Sequence, residues 1–122
     1  MTQQNLYPSE ENDEKQLEKK IILLYLIYKI DIPLSNSHIT QFALEANYMS
    51  YYQVQKYLQE MVEVGYLDKS SNNNTTHYTI TDDGVQALDA FIRNISTEVK
   101  NHIIKYVADN RKTVKKDFDN IA

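Results

Sequence analysis

The chain contains no cysteine, and only two of its 122 residues are glycine. Without cysteine there is no disulfide framework, no thiol nucleophile and no thiolate zinc site. Two glycines are too few for a glycine-rich phosphate loop, and no nucleophile elbow is present. The N-terminus, Met1-Thr2-Gln3-Gln4-Asn5, has neither a basic start nor an apolar core, so it does not read as a secretion signal. The longest apolar run, Ile21 to Tyr28, is far short of the roughly 20 residues that span a bilayer. These absences point to a cytoplasmic, non-membrane protein without a cofactor, and nothing in the sequence argues for an enzyme. Asn74-Thr75-Thr76 and Asn94-Ile95-Ser96 fit the glycosylation pattern, which carries no meaning without secretion. His38, His77 and His102 are widely spaced and show no ligand pattern, so a metal site is not expected.

Positive charge is also scarce. Thirteen lysines and arginines face seventeen acids, for a net charge of −4. Glu10 to Asp31 holds six acids and four lysines, and Ser35 to Thr81 holds only Lys56 and Lys69 against Glu45, Glu60, Glu63 and Asp68. The excess lies between Arg93 and Lys116, where seven bases meet only Glu98 and Asp109.

What is present is a largely helical pattern in a chain of one-domain length. Residues 1–12 are polar and aperiodic, which reads as a flexible leader. From Asp13, residues Leu17, Ile21, Leu24 and Tyr28 recur at helical spacing, and Ile22, Leu26 and Ile27 add apolar surface on other sides. Such a helix needs wide burial, within its own domain and against a second subunit if one is present. It ends before Pro33.

The next three helix starts share one device. Ser35, Ser50 and Thr81 each place a capping hydroxyl between aliphatic residues: Leu34 and Ile39, Met49 and Val54, Ile80 and Val85. Gln53 completes a capping box with Ser50, and Asp82 and Asp83 suit the positive end of a helix dipole. A second helix from about Asn36 to Glu45 buries Ile39, Phe42 and Ala43. A third from Tyr51 to about Val64 buries Val54, Tyr57, Leu58, Met61 and Val62. The short turn Ala46 to Met49 between them suits a helix-turn-helix. Gly65 stops the third helix. Two β-prone runs follow, Tyr66 to Lys69 and His77 to Ile80, with Ser70 to Thr76 projecting between them as the tip of a wing. A helix after Thr81 carries Val85, Leu88 and Phe91 or Ile92.

Ser96 then caps a long last helix with an apolar stripe of Val99, Ile103, Val107, Val114, Phe118 and Ile121 on a charged rod. The head is expected to offer this stripe little surface, so packing against a second copy is expected and the chain reads as a homodimer. The fold class is therefore mainly α with a small β-hairpin. It is a winged helix-turn-helix over 13–94, with a dimerisation helix over 95–122.

Several local strings carry a resemblance. Gly65-Tyr66-Leu67 leads into the hairpin, and Tyr78-Thr79-Ile80-Thr81-Asp82-Asp83-Gly84 leads into a helix with Ala87 and Leu88. This order resembles winged-helix regulators of the PadR and MarR type. The stretch from about Leu17 to Tyr106 more closely resembles a bacterial family known only as a winged-helix domain of unknown function. It shares that family's segment at Ile30 to Ile39 and a tyrosine-rich start to the third helix at Tyr48, Tyr51 and Tyr52. The resemblance implies a DNA-binding transcriptional regulator.

In a helix-turn-helix the third helix reads base edges in the major groove. The face opposite Val54, Leu58 and Met61 holds Tyr52, Lys56, Gln59 and Glu63, flanked by Gln53 and Gln55. Glutamine suits adenine, and tyrosine and lysine suit phosphate. The expected contacts to double-stranded DNA are Ser50, Tyr51, Tyr52, Gln53, Gln55 and Lys56 from this helix. Lys69, Asn72, Asn73 and Asn74 are expected from the wing. Arg111, Lys112, Lys115 and Lys116 suit either flanking phosphates or the wet side of the last helix. The acidic head and uncharged wing tip favour the competing reading, a winged-helix module for protein–protein interaction without DNA binding. The chain also has ten tyrosines. Tyr25, Tyr28, Tyr48, Tyr51, Tyr52 and Tyr57 suit a small-molecule effector pocket less well than they suit core rings with a hydroxyl at the rim.

Overall fold

The computed structural model describes residues 11–121. Its elements are α1 (Asp13–Ile30), β1 (Leu34–Ser35), α2 (Asn36–Glu45), α3 (Tyr51–Glu63), β2 (Leu67–Asn72), β3 (Thr75–Ile80), α4 (Asp82–Phe91) and α5 (Thr97–Ile121), with a 3-10 turn at Ile92–Asn94 before α5. The fold is mainly helical, with one small antiparallel sheet, and is compatible with a winged-helix-like fold. Among the described residues no helix is long and apolar enough to cross a membrane.

α1 is the central pillar. The Asn12 side chain accepts a hydrogen bond from the Lys15 amide at 2.9 Å, and Asp13 and Glu14 complement the dipole in the first turn. Seven of its residues, from Ile21 to Ile30, are buried, which explains why it is apolar on more than one side. Each such Ile or Leu contributes about 1.5–3 kcal/mol through burial. Asp31 closes the helix in the left-handed region at φ 55°, two residues before Pro33. Residues 1–10 of the expected leader lie outside the described residues, while its last two, Glu11 and Asn12, are held in place by side-chain hydrogen bonds.

The four capping hydroxyls act as their sequence context requires. Ser35, Ser50, Thr81 and Ser96 accept from the amides of His38, Gln53, Gly84 and Val99 at 3.0–3.2 Å. The Gln53 side chain returns a bond to the Ser50 amide at 2.9 Å, completing the capping box. Thr81 also donates its hydroxyl to the Gly65 carbonyl at 2.6 Å. Gly84 lets α4 approach the chain after α3, since a Cβ there would stand 2.2 Å from the Tyr66 carbonyl oxygen. The run from Thr81 to Gly84 is thus a joint between α4 and the segment after α3.

Three features differ from the sequence expectations. β1 pairs with β3, giving a three-stranded sheet of order β1-β3-β2 where only a hairpin was expected. The strands of that hairpin also run further. Asn72 pairs with Thr75, and only Asn73 and Asn74 remain in the turn, both with positive φ (53° and 66°). That is the backbone of a tight two-residue hairpin turn, which asparagine tolerates. Ser70 to Thr76 is therefore mostly ladder, its polar side chains concealing the strand pattern. α4, finally, buries Ala87 and Leu88 but leaves Val85 and Phe91 exposed, and in α3 Val62 is half-buried.

The last helix gives the largest correction. Ile103 and Val114 are buried within a single chain and belong to the same core as Ile21, Leu34 and Phe42, with Val99 and Val107 packed against it. α5 lies along α1 and touches β1. Of the stripe expected to need a second copy, Ile103 and Val114 are covered by the chain's own head, and Val99, Val107 and Phe118 are covered in part. The side chain of Ile121 lies outside the described residues. Aromatic contacts fasten α5 near both ends. Near its start His102 stacks on Phe42 at 5.1 Å and its Nδ1 lies 2.7 Å from the Tyr48 hydroxyl, and Tyr106 meets the Phe42 ring at 4.8 Å. Near its end Phe118 meets His77 of β3 edge-on at 5.0 Å.

Candidate nucleic-acid interface

The amphipathic character of α3 decides what it can present. Val54, Tyr57, Leu58 and Met61 face the core. The first turn of α3 stands clear: Ser50 is exposed, and Tyr51 and Tyr52 are each 61% exposed. A pair of large rings left this open at a helix N-terminus is available to stack or to donate phenolic hydrogen bonds.

The two glutamines are differently placed. Gln55 is half-buried between α3 and α2, and its amide is fully engaged. Its Nε2 donates to Thr40 Oγ1 at 2.9 Å and to Asn36 Oδ1 at 3.2 Å, and its Oε1 accepts from Asn36 Nδ2 at 2.7 Å. Gln55 thus joins the two helices, and breaking three bonds to read a base would be costly. Gln53 has its carbonyl in the capping box and its amide beside Glu11.

Glu11 is the feature that sequence reasoning missed. Its carboxylate accepts from the Tyr57 hydroxyl at 2.8 Å and pairs with Lys19, tying the approach to α1 onto α3. Burial alone would raise its pKa. Hydrogen bonds from Lys19, Tyr57 and Gln53, with the Lys19 charge, outweigh that and hold it below the ordinary carboxylate value. The same contact, with burial the larger cause, pushes the Tyr57 phenol far up. No local pattern joins residue 11 to residue 57, so this clamp had no signal in the sequence.

Lys56 is half-buried with its ammonium 5.9 Å from the Tyr57 ring centroid. On the hairpin, Lys69, Asn72, Asn73 and Asn74 are all exposed. Glu63 and Asp68 are exposed nearby in sequence, whereas Glu60 is paired with Lys20 at 2.8 Å. The basic residues of α5 are partly spent inside the molecule. Arg111 donates from Nε to the Ile30 carbonyl at 2.8 Å, and Lys115 pairs with Asp119 at 3.0 Å. Lys112 and Lys116 are exposed.

The six tyrosines suited to an effector pocket are not gathered. Tyr57 faces Glu11, Tyr48 faces His102, Tyr25 and Tyr28 flank α4, and Tyr51 and Tyr52 face outward. Among the described residues no group of three histidines or acids could hold a metal ion. Ser35, His38 and Asp117 do form a chain of contacts, but the Ser35 hydroxyl is already the cap of α2 and is buried.

No curated protein and no solved structure matches the chain. A family model matches residues 19–122, from early in α1 to the last residue, and the chain belongs to that family, the domain of unknown function DUF4364.

Proposed function

We propose that this chain is a winged-helix DNA-binding regulator, akin to the PadR and MarR type. In this reading α2 and α3 form the helix-turn-helix, and β2 and β3 form the wing. The observation that carries it is the first turn of α3, where Ser50, Tyr51 and Tyr52 stand exposed beside a short turn while the opposite face is buried. Tyr51, Tyr52 and Lys56 would approach the major groove, with Lys69 and Asn72 to Asn74 on the flank. Gln55 drops out, being committed to α2, and the buried stripe of α5 no longer argues for a dimer seam.

With few cations on this face, affinity rests on few phosphate contacts and falls only shallowly as salt rises. The test is enrichment of bound duplexes from a random pool with the full chain. The reading expects a recovered motif, with binding weakened at least about tenfold by Tyr52→Ala combined with Lys56→Glu. An unenriched pool, or unchanged affinity in the double variant, overturns it.

A second reading has its own observation. An apolar cleft of about 370 Å³ runs between α1, the end of α3 and α4, bordered by Val64 (62% exposed) and Phe91 (41% exposed). This suits a protein-binding winged helix without a DNA role. Under that reading Phe91→Ser abolishes partner binding while the α3 variants leave it intact.

A further inference from the structure

Two histidines far apart in sequence meet where the end of α5 crosses β3 and the start of α2. His38 Nδ1 lies 2.8 Å from the Ser35 hydroxyl, and its Nε2 lies 3.5 Å from Asp117 Oδ2. His77 stands on β3 with Phe118 against its ring. They border a cleft of about 300 Å³ whose walls include Pro33, Thr75, Val114 and Phe118.

His77 is 3% exposed, yet its Nδ1 is buried without a hydrogen-bond partner. A buried polar atom left unpaired is costly and rare, so it calls for an explanation. A hydrogen bond with the Thr75 backbone gives the imidazole one local partner, yet Nδ1 keeps none.

We propose that this cleft binds a small uncharged aromatic alcohol of the phenol class, its hydroxyl pairing with His77 Nδ1 and its ring lying among Pro33, Val114 and Phe118. The ring nitrogen of a neutral imidazole is a donor or an acceptor according to tautomer, and a hydroxyl serves either. Burial, and then the neighbouring His38, lower the His77 pKa against an opposing hydrogen bond with the Thr75 backbone, and this lowering favours the neutral ring. The Asp117 carboxylate at the border repels an anionic ligand. The volume suits a compact ligand of one or two rings. Nδ1 is buried and Phe118 stands edge-on to the ring, so a ligand reaching Nδ1 displaces Phe118 and with it the last turns of α5. Occupancy is thereby coupled to the hairpin on which His77 stands. The site does not depend on what that hairpin touches.

The full chain, with its histidine and phenylalanine rings observed by NMR, is titrated with phenol, toluene and benzoate. Phenol is expected to shift the His77 and Phe118 signals saturably and to bind about fivefold tighter than toluene, benzoate binding weakest. His77→Phe keeps the ring volume and removes the nitrogen, so it should erase the preference for phenol over toluene. Asp117→Asn, a change at an exposed position, should raise benzoate affinity several-fold and serves as the decisive arm if His77→Phe does not fold. The proposal is overturned by the absence of saturable shifts with phenol, by shifts confined to the Phe91 cleft, or by a response to zinc alone. A phenol preference that survives His77→Phe, or benzoate binding indifferent to Asp117→Asn, overturns it equally.

Discussion

Arg111 Nε donates a hydrogen bond of 2.8 Å to the carbonyl oxygen of Ile30, so a cation from the last helix closes the C-terminal end of the first. That carbonyl lies at the negative end of the α1 dipole, where a guanidinium is doubly favoured. Arg111→Ala should lower stability by about 1–2 kcal/mol in urea unfolding, and Arg111→Lys should recover part of it. If Arg111→Ala is as stable as the parent, α5 is not fastened at this point.

The two glycines should respond differently to alanine. At Gly84 a Cβ would stand 2.2 Å from the Tyr66 carbonyl oxygen and 2.7 Å from Ile80 Cγ1, so Gly84→Ala should cost about 2–3 kcal/mol by forcing α4 outward. At Gly65, with φ +86° and nothing within 4 Å, Gly65→Ala should cost about 1 kcal/mol from backbone strain alone. Thermal melts of the two variants side by side give the ordering, and the reverse order would contradict the joint at Thr81 to Gly84.

Glu11 sets an acid limb of stability. Its folded pKa lies below its ordinary value of 4.5, so the clamp contributes fully above that pH and is lost as pH falls through the lower folded value. Glu11→Gln should be less stable than the parent at pH 7, with the gap narrowing below about pH 4.5. A gap independent of pH would mean that the Lys19 and Tyr57 contacts do not act through the carboxylate charge.

His77 works over a different window. Burial first, and then His38, lower its folded pKa, so the unfolded chain takes up the proton more readily. Stability should therefore decline as pH falls from its ordinary value of 6.5 toward the lower folded value, with His38 and Asp117 alongside the ring. In His77→Phe that slope should flatten, as read from unfolding midpoints between pH 7 and pH 5. An unchanged slope would mean that His77 does not carry it.

Gln55 separates architecture from recognition. Gln55→Ala removes three hydrogen bonds between α2 and α3 and should destabilise the fold by about 1–3 kcal/mol. Tyr51→Ala and Tyr52→Ala, at exposed positions, should leave the melting temperature within a degree or two. If Gln55→Ala proves neutral, its amide was free to read a base after all.

Local chemistry was legible in the sequence. A capping hydroxyl and an aliphatic neighbour act within one turn, and Ser35, Ser50, Thr81 and Ser96 all cap. The asparagine turn escaped because Lys69 to Asn72 is polar on both faces, so β2 showed no alternation. β1 escaped because two residues are too few to form a pattern. The bonds of Gln55 to α2 had no signal, because an amide on a helix flank looks the same whether it faces a groove or a neighbouring helix. The stripe of α5 announced burial but could not say whose surface provides it, and Arg111, Phe118 and His77 supply that answer only in three dimensions.

The contact between Arg111 and Ile30 bears on synthesis as well. The contacts of α1 with α3, β3 and α4 are completed by α5, which follows every other described element, so α1 covers its last apolar side only once α5 has been made. Until then the α5-facing side of Ile21 to Ile30 stays open, the kind of apolar surface that chaperones hold.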